Sequence, residues 1–183
     1  TVDDHPNGGA PGSWDFGGFA PTGSGGDFDV NGPASSGPGA FNGGSQYLEY
    51  DTENDDDLRA FAGVSVAPSS GDILHAEMMV YVPSSAFDGQ GPNIVFQSGL
   101  GGSFGGGLRA NGADPTKIDY LSGGWDSTGL TISLDAWHKW EIEWEVGSGN
   151  ATFTIDDTQT ASVTDTRSTS TVGGLTFESN RQI

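Results

Sequence analysis

Apolar and polar residues alternate most cleanly over Asp72–Val82 (DILHAEMMVYV), where Leu74, Ala76, Met78, Val80 and Val82 fall on one side and Ile73, His75, Glu77, Met79 and Tyr81 on the other. Side chains on a strand point alternately to opposite faces, so this run predicts a strand with one core face, and Pro83 ends its ladder. Trp137–Val146 (WHKWEIEWEV) alternates in the same way, with His138, Trp140, Ile142, Trp144 and Val146 opposing Lys139, Glu141, Glu143 and Glu145. The first set is expected in the core and the acidic set in water; Trp137, Trp140 and Trp144 are all assigned to the core. The turn Gly147–Asn150 (GSGN) leads into Ala151–Asp156 (ATFTID), which predicts a hairpin.

Shorter extended runs fill the rest. Ser45–Tyr50 and Leu58–Val66 flank the acidic turn Asp51–Asp57 and read as a hairpin-like pair. Asn93–Ser98, Leu108–Ala110, Lys117–Leu121, Leu130–Ser133, Gln159–Val163 and Val172–Glu178 complete about a dozen strands, and a helical period is absent. The predicted fold is all-β, a two-sheet antiparallel sandwich. Residues 1–44 read as a Gly/Pro-rich arm packed on the core through spaced aromatics such as Trp14, Phe16 and Phe28, and residues 45–183 as the sandwich domain. The segment Gly99–Leu108 (GLGGSFGGGL) reads as a flexible loop anchored by Phe104; without a GK[ST] ending or a following helix it is no nucleotide loop.

Composition narrows the function. Six Lys+Arg against 25 Asp+Glu in 183 residues give a formal charge of −19, which excludes a basic nucleic-acid surface and disfavours docking on anionic lipid. Glycine is abundant, at 31 residues, yet 5 Trp, 4 Tyr and 10 Phe are too many for a chain that never buries a core. The absence of cysteine removes disulfides, thiolate metal sites and cysteine nucleophiles. No run approaches the roughly 20 apolar residues of a membrane helix. The start at Thr1 fits a mature or trimmed form, and acidic excess suits extracellular or surface-exposed surroundings.

The run Trp137–Asp156 (WHKWEIEWEVGSGNATFTID) resembles the concanavalin A-like lectin/glucanase superfamily, especially its laminin-G-like members, and His75–Pro83 (HAEMMVYVP) resembles an earlier strand of such domains. The resemblance covers about Ser45–Glu178. It implies a jelly-roll whose roles range over glycan binding, adhesion, structural spacing and polysaccharide cleavage. The usual Ile-Asp-Gly turn reads Ile155-Asp156-Asp157 here, which leaves its tight geometry open.

Candidate chemistry follows from side chains. Glu141, Glu143 and Glu145 share a face, as acid and nucleophile do in glycosidases, but Glu-x-Glu-x-Glu departs from the Glu-x-Asp-x-x-Glu of the glucanases. A wet acidic face is preferred, and no catalytic residue is assigned. Asp51, Glu53, Asp55 and Asp57 form a candidate calcium site, because hard cations take closely spaced carboxylates; a plain acidic turn is the competing reading. Trp125, in the polar run SGGWDSTG, joins Tyr120, Tyr81, Gln97 and His75 as a candidate carbohydrate platform, with burial of Trp125 under the arm as the alternative. Asn150-Ala151-Thr152 fits a glycosylation sequon.

The function expected is a non-catalytic, extracellular domain that binds a glycan or cell-surface polysaccharide, with possible calcium. One alternative is a structural subunit of a coat, appendage or virion, forming homo-oligomers or larger assemblies through the N-terminal arm. The other is a polysaccharide hydrolase or lyase.

Overall fold

The computed structural model describes residues 26–31, 47–52, 58–63, 68–84, 90–98, 103–164, 166–167 and 172–180, with the side chains of 68–84, 92–98, 103–164, 166–167 and 172–176. These residues contain strands and no helix: β1 (Gly26–Asn31), β2 (Tyr47–Thr52), β3 (Leu58–Gly63), β4 (Ile73–Tyr81), β5 (Gln90–Gln97), β6 (Phe104–Ala110), β7 (Lys117–Leu121), β8 (Trp125–Thr131), β9 (Trp137–Glu145), β10 (Ala151–Ile155), β11 (Gln159–Val163) and β12 (Gly174–Asn180). A six-stranded sheet runs β3-β12-β5-β6-β7-β8, a four-stranded sheet runs β11-β10-β9-β4, and β1 pairs with β2 separately. All pairings are antiparallel. The all-β, two-sheet sandwich is therefore as the alternation predicts, and it is compatible with a jelly-roll.

The two most clearly alternating segments pair with each other. β4 and β9 run side by side from Ile73 opposite Glu145 to Tyr81 opposite Trp137. Their inner positions build the core: Trp140, Ile142 and Trp144 are fully buried beside Phe153 and Ile155 of β10. Leu108, Ile118, Ile94 and Phe96 come from the facing sheet, with Phe96 stacked on Trp144 at 5.7 Å between ring centroids. Each large side chain sealed in this way contributes about 1.5–3 kcal/mol of transfer free energy.

Several local expectations change. The glycine run is no loop over its second half, because Gly105–Gly107 lie inside β6. A Cβ at Gly105 or at Gly106 would stand 2.7 Å from the Trp144 indole, so the bare backbone makes room for the ring. Trp125 opens β8 instead of sitting in a loop. The pair expected around the acidic turn does not form: β2 pairs with β1, and β3 pairs with β12. Trp137 departs from its core assignment. It is one residue out of phase with Trp140's face, lies only half-buried, and meets Tyr81 edge-on at 5.5 Å on the outer side.

The Ile155-Asp156-Asp157 turn forms without its glycine. Asp156 (φ 53°) and Asp157 (φ 57°) both adopt the left-handed conformation, and the Thr158 N–H donates to Ile155 O at 3.1 Å. Two consecutive positive φ values give the turn that suits a twisted hairpin, and aspartate tolerates this region better than most residues. Both are held by their side chains: Asp156 accepts from His138 Nδ1 (2.6 Å) and from the Lys139 N–H (2.9 Å), while Asp157 pairs with the Lys139 ammonium. At the end of the sandwich, the Gln159 side chain accepts from the Thr131 N–H (3.2 Å) and donates to Thr131 O (2.8 Å), tying β11 to β8 across the two sheets.

Candidate functional site

The outer face of the four-stranded sheet is the open surface that the alternation of β4 and β9 creates. Cross-strand register sets Glu77 opposite Glu141, Met79 opposite Lys139 and His75 opposite Glu143, and continues to Thr154 beside Glu141 and Thr152 beside Glu143. At one end Tyr81 and Trp137 stand directly opposite and contact edge to face, an arrangement aromatic rings favour.

Lys139 is the electrostatic hub of this face. Its ammonium lies 3.2 Å from Glu141 Oε1 and 3.6 Å from Glu77 Oε2, and also pairs with Asp157. The hydrogen bond to Asp157 foremost, with Glu141 behind it, holds the Lys139 pKa well above the ordinary lysine range. His75 Nε2 stands 3.9 Å from Glu141 Oε1. One ligand atom from each of His75, Glu77 and Glu141 lies within 4.8 Å of the others, which makes the three a candidate metal-binding group. Further along β9, Asn150 Nδ2 donates to Glu145 Oε2 at 2.7 Å and, with Ser148, lowers the Glu145 pKa.

The outer face of the six-stranded sheet is built differently. Asn93, Gln97, Asp119 and Thr176 are polar, point away from the core and are buried. Arg109 donates to Asp119 Oδ2 through Nε (3.3 Å) and Nη2 (3.2 Å), and Asn111 Nδ2 donates to the same oxygen at 2.8 Å. Burial lowers the Arg109 pKa, against the opposing pull of Asp119. The guanidinium also lies 4.6 Å from the centre of the Trp125 ring, a cation–π contact. Thr176 donates its hydroxyl to Gln97 Oε1. Among the described residues, Asn93 Oδ1 is buried without a hydrogen-bond partner.

The five residues expected in one platform thus occupy three places. His75 and Tyr81 share the open face of the four-stranded sheet, and Trp125 and Gln97 lie on the outer side of the six-stranded sheet. Tyr120 points inward, buried against Phe153 at 6.0 Å. Of the expected calcium residues, Asp51 lies on the β2 backbone opposite Asp27, and Glu53, Asp55 and Asp57 fall outside the described residues. Arg109 and Asp119 were not singled out by the sequence, and Trp137 was assigned to the core instead of the open face. Alternation had placed Lys139 and Glu141 on the wet face with the right phase; the missing information was the register that brings them to His75 and Glu77.

Compared with protein-family models, with curated proteins and with solved structures, the chain gives no match. What the fold and its faces define is a class, a two-sheet antiparallel β-sandwich with one open polar sheet face.

Proposed function

We propose that this is a non-catalytic, extracellular jelly-roll domain of the concanavalin A-like, laminin-G-like kind, which binds a glycan on the outer face of its four-stranded sheet. The observation that carries the reading is the Tyr81–Trp137 pair at the end of an otherwise hydrogen-bonding face. Sugar rings present flat C–H surfaces that pack on aromatic rings, and hydroxyls that bond to groups such as Lys139, Glu77 and Thr154. A binding role is favoured over hydrolysis because carboxylates of this face are already committed to neighbouring side chains, Glu145 to Asn150 and Glu141 to Lys139. Calcium at Asp51, Glu53, Asp55 and Asp57 belongs to the same reading.

The test is a glycan array followed by calorimetry on the full chain. Trp137→Ala and Tyr81→Ala are each expected to weaken binding at least about tenfold, with circular dichroism unchanged. Binding that survives both but is lost in Trp125→Ala would move the site to the other sheet. No binding, together with an oligomer that persists until residues 1–44 are removed, would favour the structural-subunit alternative. Calcium that fails to raise the melting temperature removes the calcium component.

A further inference from the structure

We propose that His75, Glu77 and Glu141 form a binding site for a divalent transition metal of the zinc class, independent of whether the aromatic pair takes a glycan. The donor set selects the metal. One imidazole nitrogen with two carboxylate oxygens suits zinc and its neighbours, which take three protein ligands and complete their coordination with water. Calcium prefers six to eight oxygens and gains little from an imidazole.

Position favours the same reading. Glu77 and Glu141 are directly opposed on adjacent strands, and His75 is one same-face step along β4 from Glu77. The donors therefore stand on a paired, regular backbone. His75 Nε2 and Glu141 Oε1 are 3.9 Å apart, and the three donor atoms lie within 4.8 Å of one another. Tetrahedral bonds of about 2.1 Å place ligand atoms about 3.4 Å apart. Closing that gap needs only small rotations of His75 and Glu77, whose side chains are 50% and 52% exposed.

A cation already marks the spot. The Lys139 ammonium contacts both carboxylates of the set, and its third partner, Asp157, lies outside it. A bound metal would release Lys139 from Glu77 and Glu141 and leave it paired with Asp157. Lys139 is therefore a built-in competitor for the two carboxylates, and its removal should strengthen metal binding.

The experiment is zinc titration of chelator-treated full-length chain, by calorimetry and thermal melting. One equivalent of zinc is expected to bind and raise the melting temperature. His75→Ala and Glu141→Gln should each lower affinity at least tenfold, and the metal-free melting temperature of His75→Ala should stay unchanged. Lys139→Met should raise affinity severalfold, and His5→Ala, the control for the histidine near the first residue, should change nothing. Zinc binding that survives His75→Ala, or that weakens in Lys139→Met, would overturn the proposal and identify the ion as adventitious.

Discussion

Both sheets turn a polar face outward, and the molecule treats the two faces in opposite ways. On the four-stranded sheet His75, Glu77 and Glu143 stand in water, and the ion pairs of Lys139 to Glu77 and Asp157 are open to solvent on the carboxylate side. On the six-stranded sheet Asn93, Gln97, Asp119 and Thr176 are each less than one tenth exposed, and Asp119, Gln97 and Thr176 bond to other side chains. Polarity on the outside of a sheet is thus no guide to wetness. The same residue types act as adjustable groups where water completes their hydrogen bonds, and as fixed struts where protein does.

The sharpest break of this comparison is Asp119→Ala. It takes the Asp119 carboxylate away from the Arg109 guanidinium, whose side chain is 11% exposed, and stability in urea denaturation should fall by about 1.5–3 kcal/mol. Glu77→Ala on the open face removes an ion pair whose carboxylate is 52% exposed and should cost no more than about 1 kcal/mol. Equal losses for the two would erase the distinction. Thr176→Val deprives buried Gln97 of a donor, and a loss of about 1–3 kcal/mol is expected, against less than about 0.5 kcal/mol for Thr154→Val on the open face.

Smallest is the pH dependence of the open face itself. Glu145 has its pKa lowered in the folded chain, so its contribution is present above the ordinary glutamate value near 4.3 and is lost as pH falls through the folded value. Lys139 is raised, so its contribution is full below the ordinary lysine value near 10.4 and fades as pH climbs through the folded one. Melting curves across both limbs should show the acid loss diminished in Asn150→Ala, which removes the Glu145 partner, and the alkaline loss diminished in Lys139→Met. Unchanged limbs in these variants would show that other groups govern them.

The same contrast explains what the amino-acid order could disclose. β4 and β9 were readable because one face is dry and the other wet, so hydrophobicity itself alternates. β7 gave no such cue: in Lys117–Leu121 the last four residues are all buried, and nothing in KIDYL states that Tyr120 faces Phe153 while Asp119 faces Arg109. Trp125 looked like a loop residue because its neighbours are small and polar, and its strand is fixed by pairing of β8 with β7. Gly105 and Gly106 looked flexible because the indole that requires their bareness is 38 or more positions away in the chain. The open site followed the same rule. Its residue types and their shared outward phase were apparent, whereas the opposition of Glu77 to Glu141 depends on a register between distant segments.

The Gln159 bridge carries a consequence for how copies of this chain meet. Its carboxamide engages both backbone groups of Thr131, as a peptide unit of an added strand would. An edge whose donors and acceptors are already spoken for offers a poor template for intermolecular ladder growth. Self-association through the β8 rim is accordingly discouraged at that corner, and Gln159→Ala should make it stickier without disturbing the interior.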